Sequence, residues 1–143
     1  MEASRDISAI ELRVNYSEVD QMGVVYHARY LVWLDRARTE HLRRTGTSYA
    51  DLERQGLRLA VGEARIRYRQ PARYDDLVRV LCWVRELASR RITFGYAVER
   101  VDDGRLLATA ETGMLVLDAD FRWARLPPEI ASRLPVSADP VRL

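Results

Sequence analysis

The chain has 143 residues, of which 48% are hydrophobic and 31% charged, and its formal net charge at pH 7 is +2. A length and composition of this kind predict one domain over residues 1–143, with a core at about 8–135 and no linker. The near-balanced charge without a basic block argues against a nucleic-acid partner, and no apolar run reaches the ~20 residues that a membrane helix needs.

The first ten residues contain Glu2, Arg5 and Asp6 and no apolar run, which is unlike a secretory signal. Cys82 is the only cysteine, so no internal disulfide can form, and this suits a reducing compartment. We therefore expect a cytoplasmic protein. Cys82 alternates with apolar neighbours, which favours a buried structural thiol over a nucleophile.

A short strand is predicted at 10–16, followed by a polar, turn-like segment at 17–25. The clearest helix of the chain comes next, from about 28 to 44, because apolar side chains recur at helical spacing. Its stripe consists of Tyr30, Leu34, Ala37 and His41, flanked by Leu31, Trp33 and Leu42. His41 on this stripe is expected to be a hydrogen-bonded core or interface residue. A second helix is predicted at 48–55, with Ser48 as its N-cap and Asp51 completing a capping box.

After Gly56 the apolar period changes to two, which is typical of strands. Ala64, Ile66 and Tyr68 alternate with charged residues and predict a half-buried strand from about 63. Further strands are predicted at 77–87, 92–98 and 106–117, the last two joined by a tight turn at 102–104. A short tail strand at 121–125 and a helical turn after Pro127-Pro128 complete the prediction.

One strand, a long helix and then a run of strands is not the alternating order of a doubly wound sheet. We therefore predict an α+β domain, in which an antiparallel sheet of about five strands wraps around one long central helix. The helix would cover the inner face of the sheet. Leu81 and Trp83 point to the outer face, and we expect another subunit to cover them.

Three side chains with catalytic potential, Glu18, Asp20 and His27, lie within ten residues, just ahead of the long helix. A helix N-terminus has unpaired N–H groups and a partial positive charge, so it can hold a developing oxyanion. A carboxylate beside it could attack a carbonyl or activate water. These residues indicate acyl transfer to water and leave several such reactions open. Asp20 as a simple turn residue, and Glu18 as a solvated or salt-bridged acid, are the competing interpretations.

The segment Asp20-Gln21-Met22-Gly23-Val24-Val25-Tyr26-His27-Ala28, with Tyr30-Leu31 and the helix to Arg38, resembles the hot-dog-fold thioesterases of the 4-hydroxybenzoyl-CoA type. It looks closest to the branch with the Tol-Pal-associated acyl-CoA thioesterases, and the likeness covers about residues 8–135. The resemblance implies a hot-dog fold and hydrolysis of an acyl-CoA. It also implies homodimers with the active site at their interface, which often pair into homotetramers, and no cofactor.

Residue by residue, the resemblance implies that Asp20 is the catalytic nucleophile or general base. The backbone N–H of His27 would polarise the thioester carbonyl, with its side chain as a second candidate group. The other expected substrate contacts are Gly23, Val25, Tyr26, Ser89, Arg90 and Arg91. In the last three, two adjacent guanidinium groups could grip the phosphates of coenzyme A, and an exposed, solvated turn is the competing interpretation.

Two alternatives stay open. One is a non-catalytic acyl-CoA-binding or scaffold protein on the same fold, and the other is a dehydratase acting on 3-hydroxyacyl thioesters. With only two histidines and no metal-like spacing, we expect no metal site. Aromatic, short aliphatic and long aliphatic acyl groups all remain possible substrates.

Overall fold

The computed structural model describes residues 6–143, which contain five strands and three α-helices in the order β1, α1, α2, β2, β3, β4, β5, α3. The strands are β1 (Ile7–Arg13), β2 (Leu57–Tyr68), β3 (Leu77–Leu87), β4 (Arg91–Arg100) and β5 (Leu106–Asp118). The helices are α1 (Arg29–Arg44), α2 (Tyr49–Arg54) and α3 (Pro128–Ala131), and a 3₁₀ turn spans Tyr16–Glu18. None of the described helices has the length and apolar character needed to cross a membrane.

All five strands join one sheet in the spatial order β1-β3-β4-β5-β2, and every neighbouring pair is antiparallel. The long helix α1 packs on β1 and β3, while the short helix α2 packs on β2. The predicted α+β class, a five-stranded antiparallel sheet around one long helix, is therefore confirmed.

Helix α1 buries the face that its sequence predicts. Its buried residues are Tyr30, Trp33, Leu34, Ala37, Arg38, His41 and Leu42. Leu31, predicted to flank this stripe, is instead 46% exposed. Arg38 was not expected there, because a guanidinium normally stays in water unless it finds hydrogen-bond partners. Helix α2 also forms as predicted, with Ser48 and Asp51 completing the capping box.

Several predicted boundaries are wrong, among them the end of β1, which lies at Arg13 rather than at residue 16. Strand β1 begins at Ile7 rather than residue 10, because its pairing with β3 runs from Ile7↔Trp83 to Arg13↔Leu77. Strand β2 begins at Leu57 rather than near 63. The predicted tail strand at 121–125 is reduced to a single bridge from Leu117 to Trp123. There, the Asp118 carboxylate accepts from two backbone N–H groups and closes a tight turn instead.

Strand β2 lies at the edge of the sheet, and most of its inner face is open. Ala64 and Tyr68 are exposed although their apolar alternation predicted burial, and Ile66 is only half-buried. The reason is the position of α1, which packs on β1 and β3, near the opposite edge of the sheet from β2. The single chain therefore presents an apolar edge that it does not itself cover.

The outer face of the sheet is covered by the chain's own C-terminal tail. Leu81 and Trp83 are fully buried, and Val141 and Leu143 pack against their cluster. The Trp83 indole N–H donates to Asp139 at 2.9 Å, which fixes the tail to β3. The prediction that a second subunit must cover this face was wrong, because the tail supplies the missing layer.

Candidate active site

A small closed loop carries Asp20 to the head of α1. Val19 and Val25 form an antiparallel bridge, the Asp20 N–H donates to the Val24 carbonyl at 2.9 Å, and the Gly23 N–H donates to the Asp20 carbonyl at 3.0 Å. Gly23 has φ +80°, a conformation that glycine adopts without steric cost. The backbone hydrogen bonds of the loop thus fix the position of Asp20.

The Asp20 carboxylate is partly exposed and borders two open pockets. One pocket, of about 300 Å³, lies between the loop and the end of β2 and is also lined by His27, Tyr30 and Tyr68. The other, of about 510 Å³, lies between the loop and α1 and includes Ala28. One carboxylate oxygen, Oδ1, accepts from the Met22 N–H at 2.8 Å. The other makes no hydrogen bond within the described residues and is free to react.

The N-terminus of α1 stands beside this carboxylate with open N–H groups. Ala28, at the N-cap, has helical φ and ψ of −72° and −18° and provides no side-chain cap. The N–H groups of His27 and Ala28 make no hydrogen bond in the part of the chain that the structure describes. Such donors, at the positive end of the helix dipole, suit a negatively charged oxygen. The arrangement can therefore stabilise an oxyanion next to a carboxylate.

The side chain of His27 is exposed, and its ring lies against the neighbouring Tyr26 ring, with 4.5 Å between centroids. Among the described residues its imidazole has no hydrogen-bond partner that would orient it. The backbone N–H at this position is therefore the better-placed group.

Glu18 is a structural residue, unlike its neighbour Asp20. It is buried, and its two carboxylate oxygens accept from the Asn15 N–H and from the Trp33 indole N–H, both at 2.8 Å. The interpretation of Glu18 as a solvated or ion-paired acid was wrong. Its carboxylate instead ties the 3₁₀ turn to α1 and holds the loop that presents Asp20.

Two of the three predicted contacts from the motif border the site. Val25 lines the pocket beside β2, and the half-exposed Tyr26 lines the pocket beside α1. Gly23 shapes the loop but lines neither pocket. Tyr68 and Arg69 also line the pocket beside β2, although their alternation in the sequence predicted only a strand.

Ser89 and Arg90 lie in the turn between β3 and β4 and Arg91 begins β4, away from Asp20 in the same chain. Arg91 shares a row of the sheet with Leu115, whereas Tyr68 beside Asp20 shares a row with Ala108. Seven residues along a strand correspond to roughly 23 Å. A single chain therefore does not bring these arginines to the carboxylate.

His41 and Cys82 are buried structural groups, as predicted. His41 Nδ1 lies 2.8 Å from the Ser8 hydroxyl, and desolvation, with the nearby positive charge of Arg44, lowers its pKa to about 4. Cys82 is fully buried, and its burial raises the pKa of the thiol, which disfavours a reactive thiolate.

No group of three or more metal-ligating side chains occurs within residues 6–143.

Comparison with known proteins gives a consistent result. The family model described as the thioesterase-like superfamily matches residues 14–134. The acyl-CoA thioester hydrolase YbgC of Escherichia coli is 31% identical over 107 residues, which are 75% of this chain and 79% of that protein.

Two solved structures extend the comparison. A DHNA-CoA thioesterase from Staphylococcus aureus superposes with a TM-score of 0.84 at 30% identity, over 89% of this chain and 87% of that one. A 4-hydroxybenzoyl-CoA thioesterase superposes with a TM-score of 0.84 over 91% and 99% of the two chains. Its identity is 16%, so this likeness shows the fold alone.

Proposed function

The chain belongs to the thioesterase-like superfamily, and on that premise we propose how its residues hydrolyse an acyl-CoA thioester to a free acid and coenzyme A. It is an enzyme of the acyl-CoA thioesterase class with the hot-dog fold. The family resemblance found in the segment from Asp20 to Ala28 is thus confirmed. Its assignment to the Tol-Pal branch stays a prediction, as do the cytoplasmic location and the homotetramer.

The observation that carries the proposed mechanism is the free oxygen of Asp20 beside the open N-terminus of α1. The thioester carbonyl accepts a hydrogen bond from the His27 N–H, which stabilises the negative charge that develops on its oxygen. As a general base, Asp20 takes a proton from water while the hydroxide adds to the carbonyl carbon. The carbon–sulfur bond then breaks and the coenzyme A thiolate leaves. No cofactor takes part.

As a nucleophile, Asp20 would instead form a mixed anhydride that water hydrolyses in a second step. Hydroxylamine distinguishes the two routes, since it traps an anhydride as a hydroxamate on Asp20 and leaves a general base unmodified. Mass spectrometry of the peptide containing residue 20 after turnover gives the answer.

We further propose that two copies pair through the edge strand β2. Its open apolar inner face supports this, because a second copy would cover it. Two-fold antiparallel pairing places the start of the partner's β2 beside the end of this one. Ala60, near that start, shares a sheet row with Arg91. The dimer would therefore carry Ser89 to Arg91 of one subunit to the Asp20 end of the other, where the coenzyme A phosphates can meet them.

The test is hydrolysis of a panel of aromatic, short aliphatic and long aliphatic acyl-CoA thioesters by the wild type and by Asp20→Asn. We expect turnover of at least one panel member, and a fall in kcat/KM of roughly 10²–10⁴-fold in the variant, because the amide cannot accept the proton or attack. The control is Asp102→Asn, which removes an exposed carboxylate in the turn between β4 and β5 and should retain wild-type activity.

Three other results would contradict the assignment. If Asp20→Asn hydrolysed acyl-CoA at the wild-type rate, Asp20 would not be the catalytic residue. Tight binding of the acyl-CoA panel without turnover would favour a ligand-binding protein. Formation of a 2-enoyl product from a 3-hydroxyacyl-CoA would favour a dehydratase.

A further inference from the structure

The last residue of β2, Tyr68, is hydrogen-bonded to the loop that precedes α1. Its hydroxyl donates to the His27 carbonyl at 2.8 Å, across 41 positions of the chain. Its ring packs edge-on against the buried Tyr30, with 5.1 Å between centroids and 86° between the planes. Partial burial raises the pKa of Tyr68 above its usual value, so the hydroxyl keeps its proton and remains a donor near neutral pH.

This hydrogen bond fixes the orientation of a peptide group at the oxyanion site. In a planar trans peptide the C=O and N–H point in opposite directions. The held carbonyl of His27 therefore turns the Ala28 N–H away from Tyr68. The preceding carbonyl, of Tyr26, accepts from the Arg29 N–H at 2.9 Å, and this turns the His27 N–H outward in the same way.

Two consecutive carbonyls are thus engaged, while the two N–H groups of the same peptides stay open. The bond from the Arg29 N–H to the Tyr26 carbonyl closes a turn with His27 and Ala28 at its centre, and the helical φ and ψ of Ala28 make it a type I turn, in which His27 is helical too. With a helical His27 between them, the N–H groups of His27 and Ala28 point in similar directions, as at a helix N-terminus. A released His27–Ala28 peptide could rotate and present its carbonyl, the negative end of its dipole, to the developing oxyanion. The Tyr68 hydroxyl opposes that rotation.

We propose that Tyr68 is a positioning residue, which holds the His27–Ala28 peptide so that the Ala28 N–H joins the His27 N–H as a second oxyanion donor. The inference rests on the proposed thioesterase reaction at Asp20. It adds a residue from the far edge of the sheet to a site that the family motif confines to the loop and the head of α1.

The experiment compares steady-state hydrolysis by the wild type and by Tyr68→Phe, which keeps the ring against Tyr30 and removes only the hydroxyl. We expect kcat to fall about 10-fold, with KM within about twofold, since one hydrogen bond to the peptide is lost and no substrate contact is removed. The pH at which kcat is half-maximal should stay unchanged, because Tyr68 does not touch Asp20.

The matched control is Tyr74→Phe. Tyr74 is similarly exposed, at 55% against 50% for Tyr68, and its ring also packs edge-on against another tyrosine, Tyr16. Its hydroxyl makes no hydrogen bond among the described residues, so kcat should match the wild type. A third variant, Tyr68→Leu, separates ring from hydroxyl, because a kcat equal to that of Tyr68→Phe assigns the effect to the hydroxyl.

Unchanged kcat in Tyr68→Phe would overturn the inference, and so would a rise in KM alone, which would make Tyr68 a substrate contact. A normal Tyr68→Phe beside a defective Tyr68→Leu would assign the role to ring packing and also overturn it. If the wild type itself hydrolyses no acyl-CoA, the proposed function fails first. If it does, and Asp20→Asn is inactive, only the role of Tyr68 is at stake.

Discussion

Two carboxylates, Glu18 and Asp20, stand two residues apart in the chain and have different environments in the fold. Both oxygens of Glu18 accept hydrogen bonds from N–H donors of the chain, whereas Asp20 keeps one oxygen open to a pocket. The residue pattern alone could not separate them, because two acids at this spacing share one side of an extended segment. Only the family resemblance singled out Asp20. Asn15 stands three residues before Glu18, at capping-box spacing in the same 3₁₀ turn, whereas Trp33 belongs to α1 and spacing alone does not position it.

The buried histidine of α1 predicts a pH dependence of stability. His41 has a pKa near 4 in the folded protein, against about 6.5 in the unfolded chain, because burial disfavours the charged imidazole. Between these values the unfolded state binds a proton that the folded state does not, so stability is lost as the pH falls. We expect the free energy of unfolding to drop by up to about 3 kcal/mol from pH 6.5 to pH 4 through this group.

Urea denaturation across this pH range checks the prediction in the wild type and in His41→Gln, which cannot titrate. The difference between their unfolding free energies should vary with pH. His27→Gln is the control, since it removes the other histidine and leaves His41 in place. Parallel pH profiles for the wild type and His41→Gln would contradict the prediction.

At the scale of elements, α1 was predicted well and β2 was not. The burial of α1 follows a 3.6-residue pattern carried within its own sequence, so Tyr30 to His41 could be placed on one face. The burial of β2 depends on which element covers it, and α1 packs on β1 and β3, near the opposite edge of the sheet. Ala64 and Tyr68 therefore carry the correct alternation but remain exposed. Periodicity predicts which side chains share a face, and tertiary packing decides whether that face is covered.

Arg38 connects three elements in the core and predicts a large stability effect. Its guanidinium donates to the Tyr49 hydroxyl of α2 at 2.8 Å and to the Tyr96 hydroxyl of β4 at 3.1 Å, and only 5% of it is exposed. Arg38→Met keeps the apolar stem but leaves these buried hydroxyls without their donor. We expect a loss of roughly 2–4 kcal/mol in the free energy of unfolding, measured by urea denaturation.

The control for this substitution is Arg43→Met on the same helix. Arg43 is exposed and forms a surface pair with Glu40, so its replacement should change stability by only about 0.5 kcal/mol. Equal losses in the two variants would show that the internal contacts of Arg38 contribute no more than a surface charge. The sequence pattern could not foresee this role, because it depends on two phenols that are distant in the chain.

For the whole molecule, the apolar surfaces of the sheet have different covers. The outer face carries Leu81 and Trp83, and the tail from Val136 onward closes it through Asp139. The inner face of β2 is covered by α2 near its start and stays open toward its end within the described chain. The sequence correctly indicated that some apolar sheet surface exceeds what one helix can cover. It placed the uncovered surface on the outer face, because the docking site of an irregular tail has no periodic signature.

The open face of β2 leads to the last prediction, which concerns assembly and activity together. Val61 lies on this face and is 55% exposed. In a two-fold dimer through β2, Val61→Arg places an added charge at the interface twice, and both charges lose water without a partner. We expect the wild type to have at least the mass of a dimer by light scattering, and the variant to have the mass of one chain.

The single-chain Val61→Arg variant should also be less active than the wild type, because the proposed phosphate contacts at Arg90 and Arg91 come from the partner subunit. Losing charge-assisted hydrogen bonds of this kind corresponds to a fall in kcat/KM of roughly 10–100-fold. Val136→Arg is the control: this valine is 52% exposed on the tail, so the variant should keep the β2 dimer and its activity. A fully active single-chain Val61→Arg would mean that each chain holds a complete site. A dimeric Val61→Arg with normal activity would mean that the subunits pair elsewhere.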